Sequence, residues 1–398
     1  MKRNVTAAVL LTLLISSVLW ANKHHEGCST AIIHGAASAD GAPMLWKNRD
    51  TNYLSNKVIY VEEKPYCYLA LVNNEETSGR WTYAGLNSEG FGIMNSVAYN
   101  LPKFSGELQD MEGLIMADAL RTCRTVNDFE EAIRKNLGPA MGSWANYGVI
   151  DAEGNAVIFE VHNNGYKKYD AAEVPEKYII NTNFARSGAE GKGAGYLRYE
   201  RATALFKEIP GKITHSYIFQ NISRDFGHPL LNHPTLEELG KKTVNRPVWV
   251  YNRDCIDRPS SAAAVVINGR IPGDKSSMAT FWVLLGEPLT SVAIPVWVEA
   301  KSVPLLLYEG KDAPLCAEAL RIKKIIHPYS EGNKGHYMEV TRLVNSENTG
   351  FLPLLLKTEN EIFEETAQFL KKKHTAVELA SFQEKMSEKA LRVLKEIK

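Results

Sequence analysis

The stretches that decide the fold are Gly27-Cys28-Ser29-Thr30 and Trp46-Lys47-Asn48-Arg49-Asp50, with Ala39-Asp40-Gly41 between them. Thr30 to His34 and Pro43 to Lys47 read as two short strands, and the Asp-Gly pair supplies the turn chemistry of a hairpin. Antiparallel pairing returns the far end of the second strand to the start of the first, so Cys28 and Asp50 can be spatial neighbours. Lys57 to Val61, Tyr66 to Val72, Trp81 to Ala84 and Phe91 to Ser96 continue as strands with Gly and Asn between them. The chain therefore opens as an antiparallel sheet.

Outward from that sheet, Met111 to Cys123 carries apolar residues at helical spacing, and Thr125 followed by Asp128 opens a second helix through Ile133. Strands resume at Tyr147 to Ile150, Ala156 to Val161 and Tyr178 to Asn183; Arg198 to Phe206 reads as a helix, and Ala262 to Ile294 returns to strands. From Glu359 to Lys398 a Glu- and Lys-rich tail with interleaved Phe and Leu forms one or two amphipathic helices. Segregated runs of strands and helices predict an α+β chain, with antiparallel sheets packed on each other and helices outside. The expected organisation is an export segment at 1–21, a short propeptide at 22–27, one catalytic domain at 28–350 and a helical extension at 351–398 packed on it.

The bulk composition narrows the function classes. A chain of 398 residues that is 44% apolar and 23% charged is globular, and 46 basic residues against 46 acidic ones leave no field to hold a phosphate backbone. Nucleic acid is therefore excluded as an expected partner, and a small molecule is the expected one. The sequence leaves a homo-oligomer open. No repeat, low-complexity tract or paired Cys-x-x-Cys motif is present.

Lys2 and Arg3 precede an apolar run from about Ala7 to Leu19, which reads as a cleavable export signal; an uncleaved anchor is the rival reading. The polar Asn22 to Gly27 segment separates Cys28 from that run, so the spacing is wrong for a lipid-modified cysteine. Periplasmic or extracellular placement follows, without stable membrane insertion after processing. Five cysteines, Cys28, Cys67, Cys123, Cys255 and Cys316, leave an odd thiol in an oxidising compartment.

A cut after Gly27 would give Cys28 a free α-amine beside its thiol, with reference pKa values of about 8 and 8.5. The amine can then take the thiol's proton, and one residue supplies nucleophile and base. The thiolate would attack an amide carbonyl and form a thioester, resolved by water or by an amine. An acidic group must hold the ammonium, and Asp50 is placed for that task. The plainer reading is that Lys47, Arg49 and Asp50 form a solvated strand end with ordinary ion pairs.

The Gly-Cys-Ser-Thr opening and the Lys-Asn-Arg-Asp strand end resemble the acyl-coenzyme A:6-aminopenicillanate acyltransferase (peptidase C45) family of autoproteolytic cysteine enzymes, related to penicillin V acylases and bile salt hydrolases. Further matching segments are Gly85-Leu86-Asn87 with Gly90 to Ser96, Ala145 to Asp151, Asn181 to Phe184, Gly195 to Tyr199 with Arg201, and Thr280 to Pro288. The resemblance spans about Cys28 to Pro295 and implies the αββα sandwich of N-terminal-nucleophile hydrolases. It also implies roles: Cys28 as nucleophile and base, Asp50 orienting the amine, and Arg198 supporting the nucleophile. Asn95 and Asn183 would form the oxyanion hole, one through a backbone N–H and the other through a side-chain amide. The plainer readings make both asparagines turn residues and Arg198 a surface helix residue. Bile salt hydrolases and penicillin V acylases carry arginine where this chain has Lys47, and lysine lacks the planar donor fork, which counts against a bile-salt-type substrate. A nearby lysine still favours thiolate at Cys28.

The expected activity is hydrolysis of a linear N-acyl amide, with acyl transfer to an amine acceptor as the alternative and no cofactor or metal required. Trp46, Trp81, Tyr99 and Trp144 are candidates to line an acyl pocket, or simply core. A different class is a secreted binding protein with Cys28 in a disulfide. Metal binding by His24, His25 and Cys28 lacks an evident fourth ligand and would be severed by the cut.

Overall fold

The computed structural model of the chain describes residues 27–103, 110–209, 211–274 and 277–398. The export segment, the propeptide before Gly27 and His24 and His25 lie outside the described residues. Strand β1 (Gly27–Ile33) and β2 (Met44–Asp50) form the expected hairpin, with every residue of both buried. The second strand runs three residues past Lys47 because Asp50 and Arg49 keep partners on both sides: Asp50 pairs with Gly27 and Ser261, and Arg49 with Cys28 and Ala263. At the turn, Gly41 adopts φ +82°, while the Asp40 carboxylate accepts the Ala42 N–H at 3.0 Å.

Seven strands form one sheet in sequence order: β3 (Asn56–Val61), β4 (Tyr68–Asn73), β5 (Ala84–Asn87), β6 (Gly92–Val97), β7 (Trp144–Ile150), β8 (Ala156–His162) and β9 (Gly165–Asp170). The other large sheet draws on both halves of the chain. Besides β1 and β2 it contains β10 (Tyr178–Asn181), β12 (Ser261–Asn268), β13 (Thr280–Leu285) and β14 (Ile294–Val296), in the order β10-β1-β2-β12-β13-β14. Its interstrand pairs, and those of the seven-stranded sheet, are antiparallel. A separate ribbon pairs β11 (Trp249–Tyr251) with β15 (Tyr337–Glu339).

The two sheets face each other. Helices α1 (Glu112–Thr122) and α2 (Val126–Asn136) cover the seven-stranded sheet, burying Met116, Leu120, Phe129 and Ile133 against Ala70, Ile93, Tyr147 and Phe159. Thr125 and Asp128 close a reciprocal capping box at the start of α2, as their spacing predicts. On the outer face of the six-stranded sheet, Trp46 packs on Phe206 of α3 (Tyr196–Lys207), with ring centroids 6.0 Å apart. The layers therefore run helix, sheet, sheet, helix, the αββα order expected.

The tail resolves into α5 (Leu352–Phe369) and α6 (Ala376–Glu396), preceded by α4 (Pro314–Ile326). Phe363 of α5 packs edge-on against Trp282 of β13, which shares the outer face with Trp46, with ring centroids 5.1 Å apart, so the tail completes the sheet's cover. Several elements depart from the sequence reading. The strand read at Trp81 to Ala84 begins at Ala84, because Gly79 (φ +75°) and a Thr82 hydroxyl bond to the Gly79 carbonyl hold the preceding residues in a turn. Strand β9 went unread because it is an edge whose exposed Lys167 and Lys168 break the apolar alternation.

Candidate active site

Period-2 alternation sorts the hairpin's side chains. Cys28, Thr30, Lys47 and Arg49 share the face turned toward the seven-stranded sheet, whereas Ser29, Trp46, Asn48 and Asp50 share the outer face. Cys28 thus stands on the inner face, at the end of β1, and lines a pocket of about 410 Å³. Lys47, Arg49, Asp50, Asn95 and Asn183 line it too, so six of the residues singled out in the sequence meet at one cavity.

The ladder between β1 and β10 stops at the Thr30–Asn181 pair. Beyond it the Cys28 N–H has no strand carbonyl and is received by Asn183 Oδ1 at 2.9 Å. Arg198, on α3, donates from Nη2 to the same oxygen at 2.7 Å and from Nη1 to the Cys28 carbonyl at 2.6 Å and Ser29 Oγ at 2.9 Å. It is buried against the Cys28 backbone, and not a surface residue paired with Glu200. Burial and the adjacent Arg258 bring Arg198 down to about 10, against the pull of Asp50 and Cys28, so it remains a cation at neutral pH.

The Asn183 side-chain amide donates to the Val97 carbonyl at 3.0 Å, which leaves that donor engaged. Asn95 is oriented the other way round. Lys47 Nζ donates to Asn95 Oδ1 and to the Tyr83 carbonyl, each at 2.8 Å, and the fixed oxygen leaves the amide's N–H₂ end as the donor in this buried, pocket-lining side chain. Arg49 lies over the Tyr83 ring, 3.6 Å from its centroid, and bonds Asn73 Oδ1 at 2.8 Å and Asn56 Oδ1.

Asp50 is held by two residues that sequence reasoning missed. Arg258 Nε donates to Asp50 Oδ2 and Ser261 Oγ to Asp50 Oδ1, each at 2.7 Å, with Arg198 Nη1 3.9 Å from Oδ2. A Cβ at Gly27 would overlap the Arg258 guanidinium, which accounts for a glycine at the residue before Cys28. Nothing local in Arg253 to Ser260 announces this role, because the segment is a loop without periodicity.

The pocket walls mix charged and aromatic side chains. Glu75, Glu76, Asp110 and Glu112 contribute carboxylates, and burial pushes Glu112 up to about 7, although its own N–H and that of Trp144 pull it down. Of the four proposed aromatic liners only Trp81 reaches the cavity, joined by Tyr53 and Tyr83. Trp46 is core, its indole N–H on Ser223 Oγ at 2.9 Å, and Tyr99 and Trp144 instead flank the Lys103 ammonium at 5.6 and 4.3 Å.

All five cysteines are free thiols, so Cys28 has no disulfide partner within the chain. Burial pushes Cys123 and Cys316 up to about 11 and Cys255 higher still. Among the described residues no cluster of three or more His, Cys, Asp or Glu could hold a metal ion, and no helix is long and apolar enough to cross a membrane.

No protein-family model matches the chain, and no curated protein does. Among solved structures, it is similar to the Caenorhabditis elegans ortholog of N-acylethanolamine-hydrolyzing acid amidase, at 12% identity over 63% of this chain and 95% of that one, with a TM-score of 0.41. Penicillin V acylase from Agrobacterium tumefaciens follows at 14% identity, 67% and 86% coverage and a TM-score of 0.41. A variant of conjugated bile acid hydrolase from Clostridium perfringens gives 12%, 65% and 89%, with a TM-score of 0.37. These are distant, partial likenesses, each at a TM-score below 0.5.

Proposed function

We propose that this protein is an exported N-terminal-nucleophile cysteine amidohydrolase of the acyltransferase-like subfamily, active once residues up to Gly27 are removed, and that it hydrolyses a compact, polar N-acyl amide. The observation that carries the reading is the convergence at Cys28: its thiol lines the pocket while its N–H points at Asn183 Oδ1. Asp50 sits opposite the residue to be removed.

Loss of Gly27 turns the Cys28 N–H into an amine already aimed at an acceptor. The amine takes the thiol proton, and Sγ attacks the amide carbonyl carbon. The carbonyl oxygen gains the electron pair and is met by the Asn95 side-chain N–H, a donor worth about 3 kcal/mol at such an oxyanion. The ammonium returns its proton to the leaving nitrogen as the C–N bond breaks, leaving a thioester on Cys28. Water, deprotonated by the same amine, attacks the thioester, releasing the acid and restoring the thiol. Asn183 Oδ1 and Asp50 orient the amine through this cycle, and Arg198 fixes both Asn183 Oδ1 and the Cys28 carbonyl.

Substrate class follows from the walls. A cavity of about 410 Å³ in which carboxylates, Lys47 and Arg49 share the walls with Tyr53, Trp81, Tyr83 and Val97 suits a small amide bearing a polar or charged group better than a long aliphatic chain. The test is the intact mass and N-terminal residue of the purified mature protein, with a panel of polar and fatty N-acyl amides. A chain beginning at Cys28, hydrolysing polar amides and silenced by Cys28→Ala, is expected. An active chain that retains Gly27 overturns the mechanism.

A further inference from the structure

Glu287, in the Gly286-Glu287-Pro288 turn after β13, takes no part in the steps above, yet it is the centre of a charged cluster sealed from solvent. Its Oε2 lies 2.6 Å from Lys323 Nζ of α4, and its Oε1 3.0 Å from His327 Nε2. The other ring nitrogen of His327 faces the Tyr337 carbonyl at 3.2 Å, so the ring is held on both sides. Asp257 completes the group. It is fully buried, its Oδ2 accepts the Leu289 N–H at 3.1 Å, and burial followed by Glu287 holds it protonated, well above the carboxylate range. Asp257 Oδ1 has no separate hydrogen-bond donor, which a proton carried on Asp257 and shared with Glu287 accounts for, while Glu287 Oε2 keeps the Lys323 ammonium.

Burying four ionisable groups carries a large desolvation cost, and apolar residues of similar volume commonly serve stability as well or better. The cluster's position supplies a reason for it. Lys323 Nζ also donates to the Ser261 carbonyl at 3.2 Å. Residues 257–261 are therefore tied at one end through Asp257 and at the other through Ser261, and between these ties project the Arg258 and Ser261 side chains that grip Asp50. The turn is also closed on itself, with the Ser261 N–H on the Arg258 carbonyl at 2.8 Å and the Arg258 N–H on Ser261 Oγ at 3.1 Å.

We propose that Glu287 is a positioning residue for the nucleophile: through Asp257 and Lys323 it fixes the 257–261 turn, and the turn fixes the direction in which Asp50 faces the Cys28 amine. This rests on the reading of Cys28 as an N-terminal nucleophile. A displacement of about 1 Å at a reacting group can cost on the order of a hundredfold in rate, so an anchor two links removed is expected to act on kcat and not on substrate binding.

The experiment compares the mature wild-type enzyme, Glu287→Gln and, as a control for loss of a buried ion pair away from Asp50, Glu359→Gln, whose carboxylate pairs with Arg224 at 2.8 Å. Glu287→Gln is expected to lower kcat about tenfold or more at unchanged KM and to displace the acid limb of the kcat/KM pH profile, because the amine's affinity for its proton follows the placement of Asp50. Glu359→Gln is expected to lower the unfolding midpoint alone. If Glu287→Gln keeps the wild-type kcat and acid limb, or behaves as Glu359→Gln does, the proposal is overturned. Should Glu287→Gln fail to fold, Lys323→Arg retains a cation for Glu287 while displacing the donor from the Ser261 carbonyl, and the same loss of kcat decides. Cys28→Ala is measured alongside. Hydrolysis surviving in that variant sinks the nucleophile reading itself, whereas loss in Cys28→Ala with no effect in the Glu287 variant sinks only the positioning role.

Discussion

Replacing Glu112 with Gln separates a carboxylate held for function from one held for stability. Glu112 begins α1, is buried, and accepts the Trp144 N–H at 3.1 Å, a bond the Gln side-chain oxygen can keep. Desolvation lifts its carboxyl from 4.5 to about 7. Because the folded value lies above the unfolded one, the carboxyl's contribution is whole below about 4.5 and is lost as the pH climbs to about 7. At about 1.4 kcal/mol for each tenfold, the wild type sheds up to about 3 kcal/mol over that window and the Gln variant sheds none. Urea unfolding of both proteins near pH 4 and near pH 8 reads this directly. Stabilities should be close at the lower pH, and the variant should be ahead at the higher one. An equal gap at both pH values would refute the assignment of a desolvated, ionising carboxyl to the pocket wall. The native state keeps that liability inside a cavity whose proposed substrates are polar, so the same variant should also lose affinity for substrates bearing an ammonium group.

Asn95→Ala removes the proposed oxyanion donor and one of Lys47's acceptors together, and kcat should fall about a hundredfold with little change in KM; an unchanged kcat would move the oxyanion elsewhere. Gly27→Ala places a methyl group against the Arg258 guanidinium, so the precursor should persist on the order of tenfold longer by intact mass while any mature enzyme formed retains the wild-type kcat. Processing at the wild-type rate would show that Arg258 yields without consequence.

What the sequence makes legible is what lies within one hairpin or one helix start. Cys28 and Asp50 are brought into register by local pairing, and Thr125 with Asp128 announces α2 by side chains three residues apart. Arg258 and Ser261 escaped notice because their meaning arises only when β12 pairs with β2, a contact across most of the chain. Helix α4 went unread although Leu315, Ala319, Ile322 and Ile326 keep helical spacing. The pocket's mixture of charged and aromatic walls was likewise hidden. Trp46 and Trp144 stand near the matched segments in sequence, but strand alternation sends Trp46 to the outer face, and Trp144 turns to Lys103. Asn183 illustrates a finer limit, since only three-dimensional placement reveals that its amide N–H₂ bonds Val97 and its oxygen receives Cys28.

The strand that carries Cys28 lies between β10 and β2, and β2 lies against β12. The cleft's floor is consequently woven from pieces made early, midway and late in synthesis, and the helices that roof its outer face come last of all. Pairings this distant form slowly, after long loops have closed. The arrangement is a clock as much as a scaffold: a growing chain has Cys28 and Asp50 early, but the Arg258 and Ser261 contacts that hold Asp50 wait until β12 and the loop before it are made.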